Sequence, residues 1–98
     1  MSIEYFGSPT PTLADGEVES LLERIDEDLQ MAVVRRSHLE VGLAFNSERT
    51  LEAVTISVKP ETVYVGFHNA TRDQRDAVLT KLQTILEVDG RKCSFDEE

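Results

Sequence analysis

An α+β fold is predicted for this chain of 98 residues, with an antiparallel sheet of three to four strands and two helices on one face. Three observations lead to it. Two segments gather their apolar residues on a single helical face. Between them, three segments alternate apolar with small or polar residues at the two-residue period of a half-buried strand. The connections between those strands are short, as in an antiparallel meander. The predicted element order is α-β-β-β-α-β.

Residues 1–14 read as an irregular lead-in, because Gly7-Ser8-Pro9-Thr10-Pro11 cannot hold a helix or a central strand. Tyr5 and Phe6 within it are candidates to dock on the core. The first helix follows, with Asp15 as its N-cap and Val18, Leu21, Leu22, Ile25 and Leu29 on one face. Ala32-Val33-Val34 fits either the end of this helix or the start of a strand. Leu39, Val41, Leu43 and Phe45 alternate with Glu40, Gly42 and Ala44 in the first strand of the meander. After the turn-like Asn46-Ser47-Glu48, Val54, Ile56 and Val58 alternate with Ala53, Thr55 and Ser57. Pro60 marks the next turn, and Val63, Val65 and Phe67 alternate with Tyr64, Gly66 and His68.

The second helix is announced by Thr71-Arg72-Asp73-Gln74, a capping-box pattern. Val78, Leu79, Leu82, Ile85 and Leu86 form its apolar stripe, and Asp89-Gly90 closes it. Arg91-Lys92-Cys93-Ser94-Phe95 fits a last strand, ahead of an acidic tail at 96–98. The length suits one domain spanning 1–98. With each helix carrying one apolar stripe, both are expected on one face of the sheet, which leaves the other face open.

The charge is concentrated. Residues 15–28 hold seven acids against one base, Arg24, and the last three residues are all acidic. These two places account for the full net charge of −9, and the rest of the chain is balanced. Localised charge of one sign steers association and does little for the fold. An acidic surface disfavours nucleic-acid phosphates and anionic membrane surfaces, so the expected partner is a basic protein. No apolar run is long enough to span a membrane. The start of the chain lacks the pattern of a secretory signal, and a single cysteine, Cys93, fits a reducing compartment. A cytoplasmic location is therefore expected.

At 100° per residue, Glu19, Glu23, Asp26 and Glu27 fall between about 80° and 180° from the apolar stripe of the first helix. Glu19–Glu23 and Glu23–Glu27 are like-charge pairs that oppose helix stability. Asp26, Glu27 and Asp28 also crowd the negative end of the helix dipole, where Lys or Arg would be stabilising. A solvated face in an acidic protein is the plain interpretation. The functional one is a docking surface for cations, made of Glu19, Glu23, Asp26, Glu27 and Asp28. Tyr64 and His68, on the open sheet face, are a second candidate contact surface, since Tyr is a favoured interface anchor.

No catalytic constellation stands out. His38 and His68 have no metal-ligand spacing, Cys93 has no neighbouring cysteine, and the five glycines are scattered. No metal, no cofactor and no enzymatic activity is expected.

The early amphipathic helix Glu17-Val18-Glu19-Ser20-Leu21-Leu22-Glu23-Arg24-Ile25 precedes a meander containing Thr50-Leu51-Glu52-Ala53-Val54-Thr55-Ile56-Ser57-Val58. With its small size and concentrated acidity, this pattern resembles the immunity proteins that bacteria make against their own secreted toxins. The resemblance implies a protein-binding inhibitor that meets a basic toxin domain and blocks it. The element order also looks like that of the acidic, dimeric chaperones of type III secretion, although the chain is shorter and has no third helix. A small regulatory or ligand-binding α+β domain using the open sheet face is a further alternative. An inhibitor implies a tight one-to-one complex, a chaperone a dimer, and a ligand domain a concavity at the sheet.

Overall fold

A computed structural model describes residues 3–29, 31–45, 52–68 and 70–97. The elements run β1 (Ile3–Gly7), α1 (Asp15–Asp28), β2 (Ala32–Arg36), β3 (Glu40–Ala44), β4 (Val54–Lys59), β5 (Thr62–Phe67), α2 (Arg72–Val88) and β6 (Phe95–Glu97). The class is α+β as expected, but the antiparallel sheet has six strands, in spatial order β2-β3-β4-β5-β1-β6. The predicted three to four strands and the α-β-β-β-α-β order are thereby corrected.

The first addition is β1. The stretch expected to be irregular pairs along its first part with β5, matching Tyr5 to Val65 and Phe6 to Tyr64. The strand stops at Gly7, where the proline-containing segment begins. Beyond it, Thr10 and Lys92 exchange backbone hydrogen bonds of 2.8 and 3.0 Å. The ambiguous Ala32-Val33-Val34 segment begins β2 rather than ending the helix. The last strand lies further along than expected: β6 takes in Asp96 and Glu97 of the predicted acidic tail, pairing them with Phe6 and Tyr5 of β1. The predicted turn at Asn46-Ser47-Glu48 lies outside the described residues.

Both helices pack on one face. Val18, Leu21, Leu22, Ile25 and Leu29 of the first helical stretch and Val78, Leu82, Ile85 and Leu86 of α2 share one core with the sheet. The sheet contributes Val41, Leu43, Val54, Ile56, Val58, Val63, Val65 and Phe67. Cross-strand pairing of Val41 with Ile56 and of Ile56 with Val65 keeps these side chains on the same face. Each fully buried branched side chain contributes about 1.5–3 kcal/mol relative to exposure. Tyr5 joins this core edge-on to Phe67, ring centroids 5.8 Å apart.

The helix ends differ in quality. Thr71 Oγ1 accepts from the Gln74 amide at 3.2 Å, while Gln74 Oε1 accepts from the Thr71 amide at 2.9 Å, which completes the expected capping box of α2. At the other end the Gly90 amide donates to the Glu87 carbonyl at 2.9 Å and the Arg91 amide to the Leu86 carbonyl at 3.0 Å. With Gly90 at φ +80, these two bonds form a Schellman motif. In α1 the N-cap is Ala14, not Asp15. Ala14 has no side-chain acceptor. Only the return half of a box is made, from the Ala14 amide to Glu17 Oε1 at 3.1 Å. No helix among the described residues is long and apolar enough to cross a membrane.

Candidate functional site

The sequence-predicted site residues divide between two surfaces. Glu19, Glu23, Asp26, Glu27 and Asp28 belong to α1, which covers the apolar face of the sheet. Tyr64 and His68 belong to the opposite, uncovered face.

The five acids of α1 are not equivalent. Glu19, Glu23 and Glu27 are exposed and, spaced four apart, form one stripe along the helix. Asp26 is half-buried and ion-paired with Arg36 of β2. Its other carboxylate oxygen is shielded and has no partner among the described residues. Asp28 is exposed and lies toward α2, where Lys81 Nζ donates to its backbone carbonyl at 3.2 Å. The negative end of the helix is thus offset by cations from other elements, Arg36 and Lys81. The sequence alone assigns Asp26 no structural role, whereas the fold gives it one.

A bulge in β2 makes this possible. Val33 pairs with Leu43, but Arg35 pairs with Gly42 and Arg36 with Val41, the register shifting between Val33 and Arg35. The extra residue, Val34, reverses the alternation. Arg36 therefore faces α1 and Arg35 faces the open side. Under unbroken alternation the two arginines would exchange faces.

On the open face the strand register lays side chains in cross-strand rows. One row runs Asp96, Phe6, Tyr64, Ser57, Glu40. The next runs Glu4, Gly66, Thr55, Gly42, Arg35. Its two glycines make a trough, and neighbouring side chains fold down into it. A Cβ on Gly42 would overlap the Glu52 carboxylate, and one on Gly66 would meet Tyr64 Oη at 2.6 Å. Tyr64 therefore lies across Gly66 rather than projecting from a flat floor. Its hydroxyl donates to Glu4 Oε1 at 3.0 Å, and its ring sits 5.2 Å from that of Phe6.

Glu52 lies over Gly42 and organises the rest. Arg35 grips it with two donors, Nε to Oε1 at 2.8 Å and Nη2 to Oε2 at 3.1 Å. The same guanidinium reaches Glu40 Oε2 at 2.5 Å, and Ser57 Oγ donates to Glu40 Oε1 at 2.6 Å. Both carboxyls are held below the usual carboxylate range. For Glu40 the Ser57 hydrogen bond is the larger cause and Arg35 the second. For Glu52 the Arg35 hydrogen bond leads and outweighs partial burial. The Arg35 charge is correspondingly reinforced by Glu52 and then Glu40.

Thr55 donates its hydroxyl proton to Glu52, so its oxygen accepts from His68 Nε2 at 2.8 Å. That bond pattern places a proton on Nε2. It also runs opposite to an activated nucleophile, in which the hydroxyl would give its proton to the imidazole. Burial pushes the Cys93 thiol pKa up, away from a reactive thiolate. Among the described residues, no three His, Cys, Asp or Glu side chains converge as a metal site requires.

Comparison with family models, with curated proteins and with solved structures finds no match.

Of the two aromatics expected to dock on the core, Tyr5 does so and Phe6 does not: Phe6 stands on the open face at 39% exposure, and Leu39, expected in the strand alternation, is exposed at 47%. Phe6 and Leu39 rim a groove of about 610 Å³ on the open face, floored by Ser57, Thr62 and Tyr64. Leu39 also borders a second groove, of about 420 Å³, with Val18, Glu19, His38 and Pro60. It therefore stands between the open face and the acidic stripe of α1. The alternation that placed Leu39 with Val41 and Leu43 hid this, because the strand begins only at Glu40. Arg35, Glu40 and Glu52 were missed as a unit as well, since their contact depends on the bulge and on pairing between β3 and β4.

Proposed function

We propose that this chain is a small acidic inhibitor that binds a basic protein, in the manner of a cytoplasmic immunity protein neutralising a cognate bacterial toxin. One observation carries the reading: the Glu19–Glu23–Glu27 stripe is exposed and pairs with no cation among the described residues. The nearby arginines are committed elsewhere, Arg24 to Asp89 at 2.5 Å, Arg36 to Asp26 and Arg91 to Glu17. Their charges lie with those partners and not on the stripe. Three like charges left together cost helix stability, and a basic surface docking on them removes that cost. Their field also accelerates capture of an oppositely charged partner.

Charge reversal tests this. Glu23→Lys with Glu27→Lys should leave the circular dichroism spectrum and the melting transition nearly unchanged. Association with the protein encoded next to this chain should slow by about tenfold or more at low salt, with the difference shrinking as salt rises. Unchanged association rate and salt dependence would sink the reading. A second reading, a small-ligand domain, is favoured by the groove beside Tyr64. Its sign would be saturable binding of a small molecule that Tyr64→Ala abolishes and the charge reversal leaves intact.

A further inference from the structure

We propose that the groove between Glu19 and Leu39 seats one long basic side chain of the partner, an arginine or lysine, with its aliphatic stem on Leu39 and its charged head at Glu19. The proposal rests on the inhibitor reading above and names the anchor point within it. In the sequence, the acids at the C-terminal end of α1, Asp26, Glu27 and Asp28, stand out because they oppose the helix dipole. The fold points to the N-terminal end of the stripe instead, where an uncompensated carboxylate meets an exposed apolar side chain.

Leu39 is fixed, not loose. It sits in the connection between β2 and β3, where the Ser37 amide donates to the Glu40 carbonyl at 2.9 Å. The Val58 amide donates to the Leu39 carbonyl itself at 2.7 Å. An apolar side chain held in water by a rigid backbone is preorganised for contact, which lowers the entropy cost of binding. On its α1 side the groove has Val18 and Pro60 as apolar lining, with Glu19 and His38 as its polar members.

That combination selects its occupant by chemistry. A purely apolar side chain would cover Leu39 but shield the Glu19 carboxylate from water without pairing it. A short cation would meet Glu19 and leave Leu39 wet. Arginine and lysine carry an apolar stem ending in a charge and satisfy both. The other groove that Leu39 borders holds Lys59 and one carboxylate, Glu40, which is already engaged by Arg35 and Ser57 and so is not free to receive a cation. The basic side chain is thereby directed to the α1 side.

The probe is a blocked tripeptide, N-acetyl-Gly-Arg-Gly-amide, titrated into the isotope-labelled full chain and followed by nuclear magnetic resonance. A peptide with 2,4-diaminobutyrate in place of arginine, compared at about pH 6 where its amine stays protonated, keeps the charge and shortens the stem. The arginine peptide should move the Leu39 and Val18 methyl signals and the Glu19 amide. It should bind about threefold to tenfold tighter than the short-stem peptide, the gain coming from apolar contact. Leu39→Ser should erase that gain and leave the salt dependence in place, whereas Glu19→Gln should weaken both peptides and flatten the salt dependence. Equal binding of the two peptides, or methyl signals of Leu39 and Val18 that stay still while Glu23 and Glu27 respond, would overturn the anchor and leave the acidic stripe standing. No response anywhere on α1 would overturn both.

Discussion

Arg36 of β2 pairs with Asp26 of α1, a contact that exists because the bulge at Val34 turns Arg36 toward the helices and Arg35 away from them. One inserted residue thereby sets the electrostatics on both sides of the sheet. It neutralises an acid of the charged helix and also supplies the cation that gathers Glu40 and Glu52 on the open face.

The Arg36–Asp26 pair is about one-third exposed, so solvent screening keeps its worth to roughly 0.5–1 kcal/mol. A double-mutant cycle with Arg36→Ala and Asp26→Asn, read by urea unfolding, should return a coupling energy of that size. Arg36→Ala alone should cost more than Asp26→Asn alone, because it leaves a half-buried carboxylate uncompensated. Strict additivity would show that the two side chains do not act together.

Glu40 and Glu52 have folded-state pKa values below the ordinary value of 4.5. A depressed carboxyl contributes stability that is fully present above the unfolded pKa and lost as pH falls through the folded one. The wild-type chain should therefore lose stability on acidification below about pH 4.5, and Glu52→Gln should flatten that loss. Unfolding free energies measured at neutral pH and across the acid range decide it. Equal slopes for the two proteins would count against the Arg35–Glu52 contact.

Gly42→Ala places a methyl group where the Glu52 carboxylate lies. The obstacle is the tip of a flexible side chain, so the backbone should hold and Glu52 should swing away. We expect a cost of about 1 kcal/mol and a shift of the His68 imidazole resonances through the lost Thr55 link. In a Glu52→Ala background the same substitution should cost little. Identical costs in the two backgrounds would mean that Glu52 does not occupy the glycine trough.

Gly16 in the first turn of α1 and Gly90 after α2 should respond to substitution in opposite senses. Gly90 caps α2 at φ +80, and Gly90→Ala should destabilise by about 1–2 kcal/mol through left-handed strain. Gly16 lies in the first turn of α1 with open space where a Cβ would go. Gly16→Ala should stabilise by up to about 1 kcal/mol, through the better helix propensity of alanine. Thermal melts of the two variants provide the check.

Legibility followed the range of the interactions. The capping box at Thr71 and the Schellman end at Gly90 could be read directly, because all their partners lie within a few residues. The apolar stripes of both helices and the alternation from Val54 to Phe67 were equally plain, since periodicity is local. β1 was obscured because five strand-forming residues adjoin the breakers that follow Gly7. Its place in the sheet depends on β5 and β6, about sixty and ninety positions away.

The sequence by itself determined the class of the fold, both helices, the meander and the concentration of acid on one helix, because each is written in spacing along the chain. Only the tertiary structure decided which of those acids are spoken for. Arg36 reaches Asp26 through a bulge, Arg91 reaches Glu17 from the far end of the chain, and Lys81 covers the end of α1 from a neighbouring helix. Charge neutralisation depends on distance in space, and strand register with helix packing sets that distance. What is left uncompensated, Glu19, Glu23 and Glu27, with Leu39 beside Glu19, is a product of the fold.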